Sequence, residues 1–271
     1  MKIDVSIITV SYRSEDTIVP FLDSIKKGQD GLNKEIIVVD NYPADKGANL
    51  AQLHPTKPTV IRNTENVGFS KAINQGLKIA HGEYILIINP DTRLVGKALR
   101  YLYNFAKKQS KLGAVAPRLL NNDGSIQPSC SKFPTILNAI KYNFFGCKNC
   151  FKKYNPGDKI TTVEVAVMAA FLIPRSTINE VGSLDERFFL YYEDVEYCRR
   201  LHIHNLPVYY LPDAKVKHIH GASGNFVFHL KSPLLASAKI YYGSLYSAIL
   251  NLVLWIGHKW QVILRGKRFR D

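Results

Sequence analysis

The stretch "YILIINPDTRL", Tyr84–Leu94, sets five apolar side chains in a row and then an amide, a proline and a carboxylate. A continuous apolar run bounded by turn formers is the pattern of a strand covered on both faces, because a half-exposed strand alternates. It predicts a strand over Tyr84–Asn89 that stops abruptly before Asp91. Upstream the pattern recurs in "VSIITV" (Val5–Val10), "EIIVVD" (Glu35–Asp40) and, more weakly, "TVIRN" (Thr59–Asn63). Between these runs the apolar residues take helical spacing: Ile18, Phe21, Leu22 and Ile25, then Ala72, Ile73, Leu77 and Ala80 within Ser70–Ala80. Strand and helix in alternation predict an α/β fold with a Rossmann-like, mainly parallel central sheet flanked by helices.

Downstream the rhythm changes. A helix is predicted over residues 97–109, a strand over Gly113–Leu120, and a hairpin turn at "NNDGSI". Residues 128–160 are polar, basic and aromatic with little periodicity and read as a loop region. A strand follows over Val163–Ser176, then a break, a helix over Glu193–Ile203 and a short strand over Pro207–Pro212. The simplest partition is one domain over residues 1–235, in halves 1–95 and 96–235, with a helical tail over 236–271.

The formal net charge of +14, from 36 basic and 22 acidic residues in 271, favours anionic partners: nucleic acid, anionic lipid or phosphorylated substrates. No recognisable nucleic-acid module accompanies the charge, so nucleic acid is not expected. Of the four cysteines only Cys147 and Cys150 form a C-x-x-C pair, and without a second pair they read as reduced thiols of a cytosolic protein rather than a zinc site. "MKIDVSIITVSY" reads as a first strand, not a signal peptide. The late apolar stretch Ser247–Gly257 falls short of the ~20 apolar residues of a membrane span. Trp255, Trp260 and the terminal "RGKRFRD" suit an anionic membrane surface. Packing on the domain, or on a second subunit of a homo-oligomer, is the alternative for that tail.

Ligands of open parallel sheets bind outside the carboxyl ends of the strands. Those ends carry Thr9, Ser11 and Tyr12; Asp40 and Asn41; Asn89 and Asp91. Acids at strand ends are also good turn formers, so Asp91 alone is either a turn residue or a ligand. Gly68 before a helix starting near Ser70 is a candidate anion site, or an ordinary serine-capped helix. Neither G-x-G-x-x-G after the first strand nor G-x-x-x-x-G-K-[ST] occurs. "FFLYYEDVEYCRRL" puts Glu193 and Asp194 at a helix start behind aromatic residues that can bury a carboxylate and raise its proton affinity. His218 and His220 lie in a glycine-rich stretch and, two apart, point opposite ways on extended chain.

With these pieces in place the sequence resembles the family-2 glycosyltransferases, in the branch with bacterial rhamnosyltransferases. "VSIITVSYRSEDTI", "EIIVVDN", "NVGFSKAINQG", "INPDT", "GSLDERFFLYYEDVEYCRRL" and "HIHGAS" match in order, from residue 3 to about 223. The resemblance implies a GT-A fold and sugar transfer from a UDP- or dTDP-sugar donor to a glycan or lipid-linked acceptor in cell-surface polysaccharide synthesis, at the cytoplasmic face of the membrane. It makes residues 1–95 the nucleotide-sugar half and 96–235 the acceptor half. It implies that Thr9, Ser11, Tyr12 and Asp40 surround the donor's base, and that Asn66, Gly68, Phe69 and Asn74 belong to a nucleotide-side motif. Asn89 and Asp91 fill the slot of the family's D-x-D. Asp91 and His218 would hold Mg2+ or Mn2+, and Asp194, with Glu193 beside it, would be the base of an inverting displacement.

Three departures stand out, the first being that "VAVMAAFLIPRS" lacks the glycine that members of the family often place before the acceptor side. Asn89 replaces the first acid of D-x-D, and "YNFFGCKNCFKKYN" matches nothing in the family pattern. A sugar nucleotidyltransferase is disfavoured because no "GxGTRL" follows the first strand. A non-catalytic nucleotide- or carbohydrate-binding protein is disfavoured because both Asp91 and Asp194 are present.

Overall fold

Apolar runs become strands where both faces are covered. The computed structural model describes residues 2–28, 30–42, 44, 46–219 and 231–268. Its first half is β1 (Val5–Ser11), α1 (Ile18–Lys27), β2 (Lys34–Asp40), α2 (Gly47–Leu53), β3 (Thr59–Arg62), α3 (Phe69–Ile79) and β4 (Tyr84–Ile88). Then come β5 (Thr92–Leu94), α4 (Ala98–Lys107), β6 (Ala114–Leu120), β7 (Cys130–Ser131) and α5 (Ile136–Phe144). They are followed by β8 (Thr161–Val163), β9 (Val165–Ala166), β10 (Ala170–Pro174), α6 (Arg175–Val181), α7 (Glu193–Ile203) and β11 (Val208–His218). Two helices close the chain, α8 (Lys231–Tyr242) and α9 (Ser244–Arg268).

Among the described residues a nine-stranded sheet runs β3-β2-β1-β4-β10-β6-β11-β5, with β8 paired to β11. β3, β2, β1 and β4 are parallel. β10 then runs antiparallel between β4 and β6, and β11 is parallel to β6 but antiparallel to β5 and β8. The parallel sheet expected from the first strands is therefore the first half; the second half is mixed. Along β1, Val5 and Ile7 join one apolar layer with Phe21, Leu22 and Leu102, while Ile8 and Val10 join the other with Ile73 and Tyr197. That two-sided burial is why the run does not alternate.

Several expectations are corrected. Residues 128–160 are not all loop: they contain α5, whose Thr135 side chain accepts the Asn138 N–H at 3.1 Å as a helix cap. The break after Pro174 is α6. β11 does not stop at Pro212, because a register shift between Leu211 and Lys215 absorbs the proline and the strand runs on to His218. His218 thus ends a strand rather than sitting in a loop, and His220 lies outside the described residues. Cys147 and Cys150 are not reduced thiols but a disulfide, their Cα atoms 5.5 Å apart in the turn after α5.

The C-terminal helices pack on the domain. The Ser237 hydroxyl donates to the Leu190 carbonyl at 2.9 Å, and the Ile136 N–H donates to the Tyr246 hydroxyl at 3.0 Å. Gly257 of α9 lies so close to Asn143 of α5 that a Cβ there would meet the Asn143 side chain at 2.3 Å. Gly257→Leu is therefore expected to cost about 1–3 kcal/mol by overpacking. Limited trypsinolysis should cut α9 in the variant faster than in the wild type.

Candidate active site

The parallel strands deliver their polar ends in register. Ser11 of β1 lies beside Asp40 of β2, and Asp40 beside Arg62 of β3. Asp40 is buried; one of its oxygens accepts the Tyr42 N–H at 3.2 Å and the other lies 3.5 Å from Arg62 Nη1. The Tyr12 and Tyr42 rings sit 5.2 Å apart, and the Arg13 guanidinium lies over both. An aromatic pair next to a buried acceptor suits a flat heterocycle with an N–H edge. Thr9 lies deeper in β1, fully buried, with its hydroxyl unpartnered. Tyr42 and Arg13 escaped the sequence reading; the tyrosine directly after "VVDN" was the available signal.

Asn41 ties this edge to the next loop. Its amide nitrogen donates to Asn66 Oδ1 and the Gly68 carbonyl, at 3.0 and 3.1 Å, and its oxygen accepts from Asn63 Nδ2 at 3.0 Å. Asn66 turns back to accept the Gly68 N–H at 3.0 Å. Here the serine-capped reading is corrected, and one of the N–H groups that could face an anion is taken. α3 begins at Phe69, Ser70 lies inside it without capping, and the Phe69 N–H is taken by the Phe189 carbonyl at 2.7 Å. Gly68 has φ +87°, and a Cβ there would meet Phe189 at 2.8 Å. Asn74 likewise reaches away from the strand ends. It donates to the Leu184 carbonyl at 2.8 Å and to Glu186 at 3.0 Å, and accepts the Leu184 N–H at 3.0 Å. Gly68, Phe69 and Asn74 are thus where segment 184–189 docks.

Asp91 and His218 meet through β5. Thr92 pairs with His218, and the Ile219 N–H donates to the Asp91 carbonyl at 2.9 Å. Asp91 is buried, with Oδ1 unpartnered and 3.5 Å from His218 Nε2. His218 Nδ1 lies 2.7 Å from Gln127 Oε1, and the Gln127 amide nitrogen donates to Asn121 at 3.0 Å. That chain makes Nδ1 the donor, so a neutral imidazole aims the Nε2 lone pair at a carboxylate oxygen. Two acceptors face each other and call for a cation or a proton between them. Burial pushes the Asp91 carboxyl up to about 6 despite Arg93 nearby. Asn89 is half-buried, its N–H held by the Ala169 carbonyl at 3.0 Å.

Glu193 and Asp194 open α7 after two consecutive left-handed residues, Tyr191 and Tyr192 at φ +69° and +68°. Such backbone is costly for non-glycine residues and concentrates at functional sites. Asp194 accepts the Val195 N–H at 2.8 Å, while Glu193 Oε2 is buried and unpartnered. Burial, then the Asp194 charge, pushes Glu193 up to about 8. Asp194 is also raised by burial, opposed by Lys153. Both residues are half-buried and their carboxyls adjoin, so the pair loses its protons stepwise and the first charge opposes the second. A cavity of about 400 Å3 lies elsewhere, lined by Thr162, Cys198, His202 and Pro207 but by none of these residues.

The model of the family described as glycosyl transferase family 2 matches residues 6–168. A low-salt glycan biosynthesis hexosyltransferase of Haloferax volcanii is 27% identical over 215 residues, covering 76% of this chain and 64% of the relative. An N-acetylglucosaminyl-diphospho-decaprenol L-rhamnosyltransferase of Mycobacterium tuberculosis is 23% identical over 230 residues, covering 78% and 75%. The chain thus spans just under two thirds of the hexosyltransferase's length. Among solved structures, GalNAc-T7 with UDP, GalNAc and Mn2+ superposes with a TM-score of 0.63 at 15% identity, over 80% of this chain and 44% of that one. The likeness establishes the shared GT-A fold.

The raised Glu193 carboxyl fixes the sign of a pH effect. The folded state holds its proton more tightly than the unfolded chain. Its stabilising contribution is complete below the ordinary carboxylate range and is lost as pH rises to about 8. Glu193→Gln should melt higher than the wild type at pH 8 and near it at pH 5. The shift is on the order of 2–4 °C per kcal/mol of relief, read by calorimetry.

Proposed function

Because the chain belongs to glycosyl transferase family 2, we propose that it moves a hexosyl or rhamnosyl unit from a UDP- or dTDP-sugar to a hydroxyl of a glycan or lipid-linked oligosaccharide. The reaction would serve cell-surface polysaccharide synthesis at the cytoplasmic face of the membrane. Residues 1–95 take the donor and 96–235 the acceptor. The observation that carries the reading is the buried, unpartnered oxygen of Asp91 facing the His218 ring at the carboxyl edge of the sheet.

That pair fits a divalent cation. The carboxylate oxygen suits Mg2+ or Mn2+, the imidazole nitrogen is tolerated better by Mn2+ than by the harder Mg2+, and such ions commonly take their remaining ligands from substrate phosphates and water. No group of three or more His, Cys, Asp or Glu side chains placed to hold a metal occurs among the described residues, so the remaining ligands would have to come from outside that set. A bound cation there would stabilise charge developing on the diphosphate leaving group. Tyr12 and Tyr42 pack the base, and Asp40 accepts from its N–H edge.

On the acceptor side Asp194 takes the hydroxyl proton as the anomeric carbon is attacked. Neutral Glu193 beside it keeps the pair from carrying two adjacent buried charges. In this reading a single base, Asp194, deprotonates the acceptor hydroxyl while the anomeric bond to the diphosphate breaks, which is direct displacement with inversion.

A thermal-shift screen of nucleotide sugars with and without Mn2+ should single out one donor, since a ligand stabilises the state it binds. Asp194→Asn should lower turnover by about 10²–10⁴-fold and leave that donor shift intact. Undiminished turnover would remove Asp194 from the mechanism, and a screen without any stabilising nucleotide would remove the reading itself.

A further inference from the structure

Helix α9 has two apolar faces, and the domain covers one. Ser247, Leu250 and Gly257 are buried toward α5. On the other side Leu245, Ile249, Leu252, Ile256 and Trp260 recur every three or four residues and are all exposed, Leu245 at 77% and Trp260 at 47%. Trp255 flanks this stripe at 60% exposure, with Lys259 Nζ 6.0 Å from its ring. Isolated apolar residues on a surface need no explanation, but a continuous stripe with two indoles does.

Charge identifies the occupant. From Ala214 to Arg270 the sequence contains no aspartate or glutamate, so every side chain ionised at neutral pH is a lysine or arginine. This segment of the chain is thus cationic, and Lys259 stands beside the stripe, which suits an anionic lipid surface. No helix among the described residues is long and apolar enough to cross a membrane, and the segments Pro233–Tyr242 and Ser244–Trp260 meet at a bend of 120°. This geometry fits a helix lying in the head-group plane.

We propose that α9 lies on an anionic membrane surface, with the Leu245–Trp260 stripe among the lipids and its opposite face docked on α5. The platform also touches the catalytic side. Tyr241 and Tyr242 of α8 pack on Tyr192, with ring centroids 5.4 and 5.8 Å away, and Ser237 holds the Leu190 carbonyl just before Glu193. Lipid docking would therefore fix the acceptor loop relative to the membrane. The docking stands whether or not the chain transfers a sugar; only its link to the acceptor loop rests on the proposed function.

A truncation before Tyr241 would strip the packing of Tyr192, so the test changes only exposed positions. The whole chain is floated with vesicles of phosphatidylcholine alone, or mixed equally with phosphatidylglycerol. The wild type should float with the mixed vesicles, and less so as salt is raised. Trp255→Glu combined with Leu252→Glu should cut the bound fraction about tenfold or more with an unchanged melting temperature. Leu245→Glu, at the other end of the stripe, should act alike and stands in if the double variant melts early. The proposal is overturned if the wild type does not float, floats equally with both vesicles, or floats as well after substitution. It is equally overturned if the wild type is a dimer in solution that these substitutions dissolve, because a second copy then covers the face.

Discussion

The proposed cation site of this chain hangs on a three-residue strand. By pairing Thr92–Leu94 with the end of β11, the fold brings Asp91 and His218 from opposite parts of the sequence into one buried place. The bonds that do this are ordinary: the Ile219 N–H to the Asp91 carbonyl, and the Thr92 hydroxyl back to the Asn89 carbonyl at 2.7 Å. Each is worth only about 0.5–1.5 kcal/mol net. Against them stands a carboxylate removed from water without a partner for Oδ1, which costs more than any one of them returns. The raised proton affinity of Asp91 is the mark of that imbalance. In the proposed role a cation relieves it, and the Gln127–Asn121 relay keeps the ring nitrogen turned toward that cation.

A second joint sets the start of α3 against the loop that leads into α7. Gly68 must be glycine there for two reasons, its left-handed φ and the close approach of Phe189. The same contact stops α3 from offering its first N–H to a phosphate, because the Phe189 carbonyl already holds it. With Asn74 gripping Leu184 and Glu186, the loop that carries Tyr191, Tyr192, Glu193 and Asp194 is anchored to α3 at one end. At the other end it is covered by the tyrosines of α8. Strained backbone at Tyr191 and Tyr192 persists because both sides hold it.

Long buried strands and amphipathic helices were legible in the sequence because their periodicity extends over whole elements. Val5–Val10, Glu35–Asp40 and Tyr84–Asn89 lie within a residue or so of the strands formed. β5 was not legible: three residues carry no periodicity, and Thr92–Leu94 is a strand only because β11 is beside it. β11 itself was cut short at Pro212, since a proline argues against a strand unless a bulge accommodates it. Helix α5 hid in an aromatic, basic stretch although its Thr135 cap was present. Asp40, Asp91, Glu193 and Asp194 stood out as acids at element ends. The docking roles of Phe69 and Asn74 did not, because a partner more than a hundred residues away leaves no local trace.

Asn89 in place of a first carboxylate leaves Asp91 and His218 as the protein's ligands in the proposed cation site. Whether they hold a divalent ion against a nucleotide diphosphate is read most directly from the electron paramagnetic resonance of Mn2+. Wild-type protein with UDP or dTDP should bleach the signal of the free aquo ion beyond what the nucleotide alone does, and Asp91→Asn should bleach it no further than the nucleotide alone. Equal bleaching by both proteins would contradict a metal role for Asp91.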